Sequence, residues 1–133
     1  MLHAMITMVA LIYIIGIYTA YIRMSSVRKG LVKVRYFKLM QGEEIPEIIT
    51  KTTRQFNNMF EVPMLFFFAG VLYLVLGIES MTGVIAAWTF VGLRAIQAII
   101  HLTYNYPLHR MLAFNTGNIC IVVLWVIIAM NAS

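Results

Sequence analysis

Residues 50–77 read TKTTRQFNNMFEVPMLFFFAGVLYLVLG, a polar half running directly into an apolar one. The second half, MLFFFAGVLYLVLG, carries no charge. An apolar helix of about 20 residues crosses a hydrocarbon core roughly 30 Å thick. The stretch therefore reads as a membrane-spanning helix, over residues 50–76, whose first turns are polar. Three further runs are long enough to span: residues 2–22, which contain no Lys, Arg, Asp or Glu, residues 82–104, and residues 108–130. Composition agrees. Of 133 residues, 62% are hydrophobic and 11% charged, whereas soluble domains carry about 25% charged residues. So much apolar surface has no place to hide from water in a chain this short. The expected fold is all-α: an integral membrane antiparallel four-helix bundle, one domain over residues 1–133.

Residues 23–49 are polar and basic, with Arg23, Arg28, Lys29, Lys33, Arg35 and Lys38 against Glu43, Glu44 and Glu47. They read as a solvated loop close to anionic headgroups, and nothing in them resembles a nucleic-acid recognition module. The first run has no basic residue before it, unlike a signal peptide, and reads as a retained span. Basic residues also flank the connection between the third and fourth runs (His109, Arg110), while the connection between the second and third has only Glu79. The positive-inside rule then places the first and third loops in the cytoplasm and both termini on the opposite side. Cys120 lies between Ile119 and Ile121 and reads as a packed hydrophobe.

The charges inside the spans carry the functional signal. Arg54, Asn58 and Glu61 are spaced i, i+4, i+7 and fall within a sector of roughly 60° on one helix face. Arg94, Gln97, His101 and Tyr104 share another face, within about 80°. Both sets lie at the cytoplasmic ends of consecutive antiparallel spans, hence at one depth. Ionisable groups in a span are costly and usually pair or line a wet cavity. One reading is a bracing salt bridge, Arg54–Glu61 or Arg94–Glu61. The other is a site for an anionic ligand, because Arg54, Arg94 and Arg110 outnumber the single carboxylate Glu61. His3, His101 and His109 are scattered, so no metal site is expected. A small transporter or channel needs a continuous polar stripe, and the apolar outer halves of all four spans count against it.

Arg54, Asn58 and Glu61, in RQFNNMFEVPMLFFFAGVLYLVLG, form an Arg-x-x-x-Asn-x-x-Glu pattern followed by Pro63 and an aromatic-rich span. This resembles the second-helix signature of the MAPEG family, the membrane-associated proteins of eicosanoid and glutathione metabolism. Arg94, and Arg110 sixteen residues later, resemble the same family. The resemblance covers the whole chain. It implies a homotrimer that holds glutathione between subunits near the cytosolic face and acts on a lipophilic small molecule arriving through the membrane lipids. Arg54, Asn58, Glu61, Arg94, Gln97, His101, Tyr104 and, by a looser match, Arg23 would hold glutathione. Arg110 would stabilise its thiolate as the catalytic residue. The implied activity is a glutathione transferase or peroxidase, and the alternative is a non-catalytic lipid-binding or scaffold protein on the same fold. Prostaglandin-synthase-like members have Tyr where this chain has His101, Ser where it has Met111, and Tyr where it has Phe114.

Overall fold

The computed structural model describes residues 1–41 and 44–132, so Glu43 lies outside the described residues. Among these the chain is all helical: α1 (Leu2–Arg28), α2 (Tyr36–Leu39), α3 (Glu47–Val75), α4 (Met81–Leu102) and α5 (Pro107–Asn131). The four long helices are each long and apolar enough to cross a membrane. Connections of a few residues join α3 to α4 and α4 to α5, which makes sequential helices antiparallel neighbours. In the packing, α4 lies chiefly on α5 and α1 chiefly on α3. The protein is an integral, multi-pass membrane protein.

The core follows the helical period. On α1, buried Ala4, Met8, Ile15, Thr19 and Ser26 recur at intervals of four and seven, one seam of a helix that is apolar on every side. On α3 the inward residues are Thr52, Gln55, Met59, Pro63, Phe66, Ala69, Gly70 and Tyr73. Phe66 stacks on Phe90 of α4 at a centroid distance of 4.8 Å. Most of the large apolar side chains that face outward are Leu, Ile, Val, Met and Phe, as a lipid solvent favours. Pro63 sits inside α3 and leaves the Met59 carbonyl without its helical donor.

Glycine sets two helix ends. Gly30 and Gly77 take left-handed φ values of 69° and 62°. At the first, Leu31 N–H donates to Ser26 O and Gly30 N–H to Val27 O; at the second, Ile78 donates to Tyr73 O and Gly77 to Leu74 O. These are paired Schellman closures. The first explains why α1 passes through Arg23, where hydropathy alone ends the span, and continues to Arg28. The segment after it is also more than a solvated loop. Val32, Tyr36 and Ile49 are buried together, with Ile22, Val27, Phe37, Met40, Ile45 and Ile48 against them. They form a second small core at the basic end of the bundle.

Candidate functional site

The polar layer is built around α4. Arg94, Gln97 and His101 share its inward face, each 2% exposed. Arg94 Nη1 donates to Gln97 Oε1 at 2.7 Å. Its guanidinium lies 5.3 Å from the Phe90 ring centroid and 5.1 Å from that of Phe114. Phe90 is one turn earlier on the same helix, and Phe114 comes from α5. The rings hold the cation by its faces, yet Nε and Nη2 have no hydrogen-bond partner. Arg94 therefore acts on Gln97. By occupying the amide oxygen, it leaves the amide nitrogen as the group Gln97 can offer elsewhere.

Gln97 also lines a cleft of about 220 Å³, together with Asn58, Pro107, Arg110, Met111 and Phe114. The three helices α3, α4 and α5 each contribute to it. Pro107 occupies the first turn of α5, so the cleft lies beside a helix N-terminus with its partial positive charge. Arg110 sits in that turn and donates from Nη1 to Asn105 Oδ1 at 2.8 Å. Asn105 itself takes a left-handed conformation, φ 49°, and donates its N–H to Ile100 O at 2.7 Å. The turn that closes α4 thus presents the oxygen that steers Arg110.

Behind the cleft, His101 Nδ1 lies 2.8 Å from Gln55 Oε1. With the oxygen as acceptor, Nδ1 carries the proton in this pair. Gln55 is fully buried and its amide nitrogen is unpartnered. Arg94 and Arg110 bring two guanidiniums to this layer. The assembly is polar, mostly cationic, and short of acceptors.

The structure brings Asn58, Gln97 and Arg110 together in one cleft, with Arg94 and His101 immediately behind. Arg54 and Glu61 are exposed on the outer side of α3, with Asn58 half-buried at its edge. Neither Arg54–Glu61 nor Arg94–Glu61 forms an ion pair; Lys51 Nζ meets Glu47 instead, at 2.9 Å. Two residues stand apart. Arg23 Nη2 donates to Thr53 Oγ1 at 3.0 Å and borders a different cavity. Tyr104 is exposed, its hydroxyl 3.0 Å from His109 Nδ1. Gln55 and Asn105 were not foreseen. Gln55 keeps the three- and four-residue spacing of the inward stripe Thr52–Gln55–Met59, a legible signal; the side-chain contact of Asn105 leaves no such trace. No group of three His, Cys, Asp or Glu able to hold a metal occurs among the described residues.

A family model described as the MAPEG family matches residues 1–130. No curated protein and no solved structure matches the chain.

Proposed function

This chain belongs to the MAPEG family, and from that premise we propose that its polar cleft binds glutathione and that Arg110 promotes formation of the thiolate. The observation that carries the reading is the pairing of Arg110 with Asn105 at the cleft wall. It is a cation aimed by a neutral acceptor, with no carboxylate paired to it. A free thiol has a pKa near 8.5, and a fixed guanidinium favours its anion. The α5 N-terminus adds to the same field. Asn58 and the amide nitrogen of Gln97 are the other donors that suit an anionic peptide. The sulfur then bonds to an electrophilic carbon of a lipophilic substrate, whose leaving group departs as the anion while the thiol proton passes to water. A hydroperoxide is an equivalent acceptor: two glutathiones reduce it to the alcohol and water, and themselves become the disulfide.

We further propose a homotrimer. Arg54 and Glu61 are exposed on a helix long and apolar enough to cross the membrane, which is costly unless a neighbour covers them. A neighbouring subunit would let them meet the carboxylates and amino group of glutathione. The first and third loops are assigned to the cytoplasm by their basic residues, on the side where glutathione is soluble. The apolar acceptor would approach from the bilayer.

One observation favours the non-catalytic alternative: the cleft positions of Met111 and Phe114 supply no hydroxyl. The test is glutathione binding by calorimetry, together with conjugation to a small aromatic electrophile, for wild type and Arg110→Ala. The variant should keep much of its affinity and lose most of its turnover, because the arginine acts chiefly on the thiolate. A wild type that binds glutathione without a thiolate absorbance or conjugation would identify a binding protein. A wild type that does not bind it would end the proposal.

A further inference from the structure

A second cavity lies at the end of α1, apart from the Arg110 cleft. It has a volume of about 320 Å³ and is lined by Arg23, Met24, Val27, Arg28, Val34 and Phe37. Its walls come from the last two turns of α1 and from the segment that leads into and includes α2. The small core of Val32, Tyr36 and Ile49 holds that segment down, so the cavity has a packed back wall. Its chemistry is divided. Met24, Val27, Val34 and Phe37 are apolar, and Met24 and Val34 remain 54% and 68% exposed. Arg23 and Arg28 supply two cations. The Arg23 guanidinium lies 5.7 Å from the Phe37 ring centroid. Its Nη2 is tied to Thr53, but its Nε is buried without a partner.

A soluble anion would have no use for four apolar walls, and a zwitterionic or neutral lipid would have little use for two guanidiniums. An anionic amphiphile uses both. The position agrees: Arg23 ends the charge-free run of the first span, so the cavity straddles the level where headgroups meet hydrocarbon. We propose that this cavity binds one anionic phospholipid of the bilayer, its headgroup phosphate accepting from Arg23 and Arg28 and the upper part of an acyl chain lying on Met24, Val27, Val34 and Phe37. Guanidinium–phosphate hydrogen bonds are charge-assisted and geometrically selective. Within one subunit the cavity shares no lining residue with the Arg110 cleft, and it assigns Arg23 to a lipid.

Native mass spectrometry of the full chain, delipidated in neutral detergent, tests this with phosphatidylglycerol, phosphatidylcholine and glycerol phosphate as probes. Wild type should retain one phosphatidylglycerol per chain in preference to phosphatidylcholine, and glycerol phosphate should neither bind nor displace it. Arg28→Gln should reduce that preference by more than about tenfold, as expected for a lost hydrogen bond to a charged group. Lys29→Gln removes the same charge from the same segment without touching the cavity, and should cost at most about fivefold, the general effect of one basic residue near an anionic surface. Val34→Trp keeps every charge but fills the cavity, and should abolish retention. Equal retention of the two lipids, equal losses in Arg28→Gln and Lys29→Gln, or undiminished retention in Val34→Trp would each overturn the site. Displacement by glycerol phosphate alone would show a soluble phosphate to be the ligand, and would overturn the lipid assignment.

Discussion

Asn105 can be separated into its two roles by substitution. Its backbone occupies left-handed space at φ 49°, and its side chain accepts from Arg110 at 2.8 Å. Glycine preserves the first role and removes the second. Alanine removes both. A hydrogen bond to a charged group contributes about 1.5–3 kcal/mol, and the half-buried setting of Arg110 favours the lower end. A left-handed alanine costs roughly 1–2 kcal/mol more, a cost that Asn partly avoids and Gly escapes. Asn105→Gly should therefore lower stability by about 1.5 kcal/mol, and Asn105→Ala by about 2.5 kcal/mol or more. Thermal unfolding in detergent reads that order. Function should divide differently. If the bond aims Arg110 at the sulfur, releasing it in either variant should reduce the thiolate absorbance of bound glutathione and lower turnover about tenfold, the equivalent of roughly 1.4 kcal/mol, with little change in glutathione affinity. Asn105→Asp keeps the acceptor but sets a carboxylate on Arg110, so it too should weaken the thiolate while the fold remains intact. A glycine variant with wild-type thiolate absorbance and turnover would refute the role of Asn105 in positioning Arg110. Equal melting of the glycine and alanine variants would refute the backbone part.

Arg94→Met removes a buried cation that has two unpartnered nitrogens, so stability should change by no more than about 1 kcal/mol in either direction, while glutathione affinity measured by calorimetry falls because Gln97 loses its partner; a loss above about 3 kcal/mol would mark Arg94 as a brace. Gly83→Ala would place a Cβ 2.6 Å from Tyr73 Cε2. That ring cannot easily yield, because its hydroxyl donates to Ser80 O and accepts from Ser80 N–H, both at 2.8 Å; unfolding should show a loss of about 1–3 kcal/mol, and a wild-type melting curve would contradict the clamp. In a Cys120→Ala background, cysteines introduced at Lys38 and Ala132 should react with an impermeant label from opposite sides of the membrane, and labelling from one side would overturn the assignment of the loops.

The spans were legible because lipid imposes one simple demand, an uninterrupted apolar run, and four such runs are plain in the composition of the chain. Their ends were less so. Hydropathy stops the first span before Arg23, but the helix stops where Gly30 can adopt a left-handed closure. Arginines at an interface need not end a helix, since their long stems let the charge reach water. The small core under the basic segment was hidden for a different reason. Val32, Tyr36 and Ile49 keep neither a helical nor a strand period over so short a stretch, and only the tertiary fold gathers them.

The site divides along the same line between local period and tertiary contact. Helical spacing correctly places Arg54, Asn58 and Glu61 along one side of α3, and Arg94, Gln97 and His101 along one side of α4. Spacing alone does not say where a face points. On α3 the inward direction is set by Thr52, Gln55, Met59, Pro63 and Phe66, a stripe about 100° round from Arg54 at its nearest residue, so the charged face turns outward and only Asn58 reaches the cleft. On α4 the polar face turns inward, as a lipid solvent favours for ionisable groups inside a span. Phe90 could be anticipated beneath Arg94 because it lies four residues earlier. Phe114 could not, because it arrives from the next helix. That second ring converts Arg94 from a group able to touch a ligand into one enclosed between aromatic faces, whose hydrogen bond reaches the cleft only through Gln97.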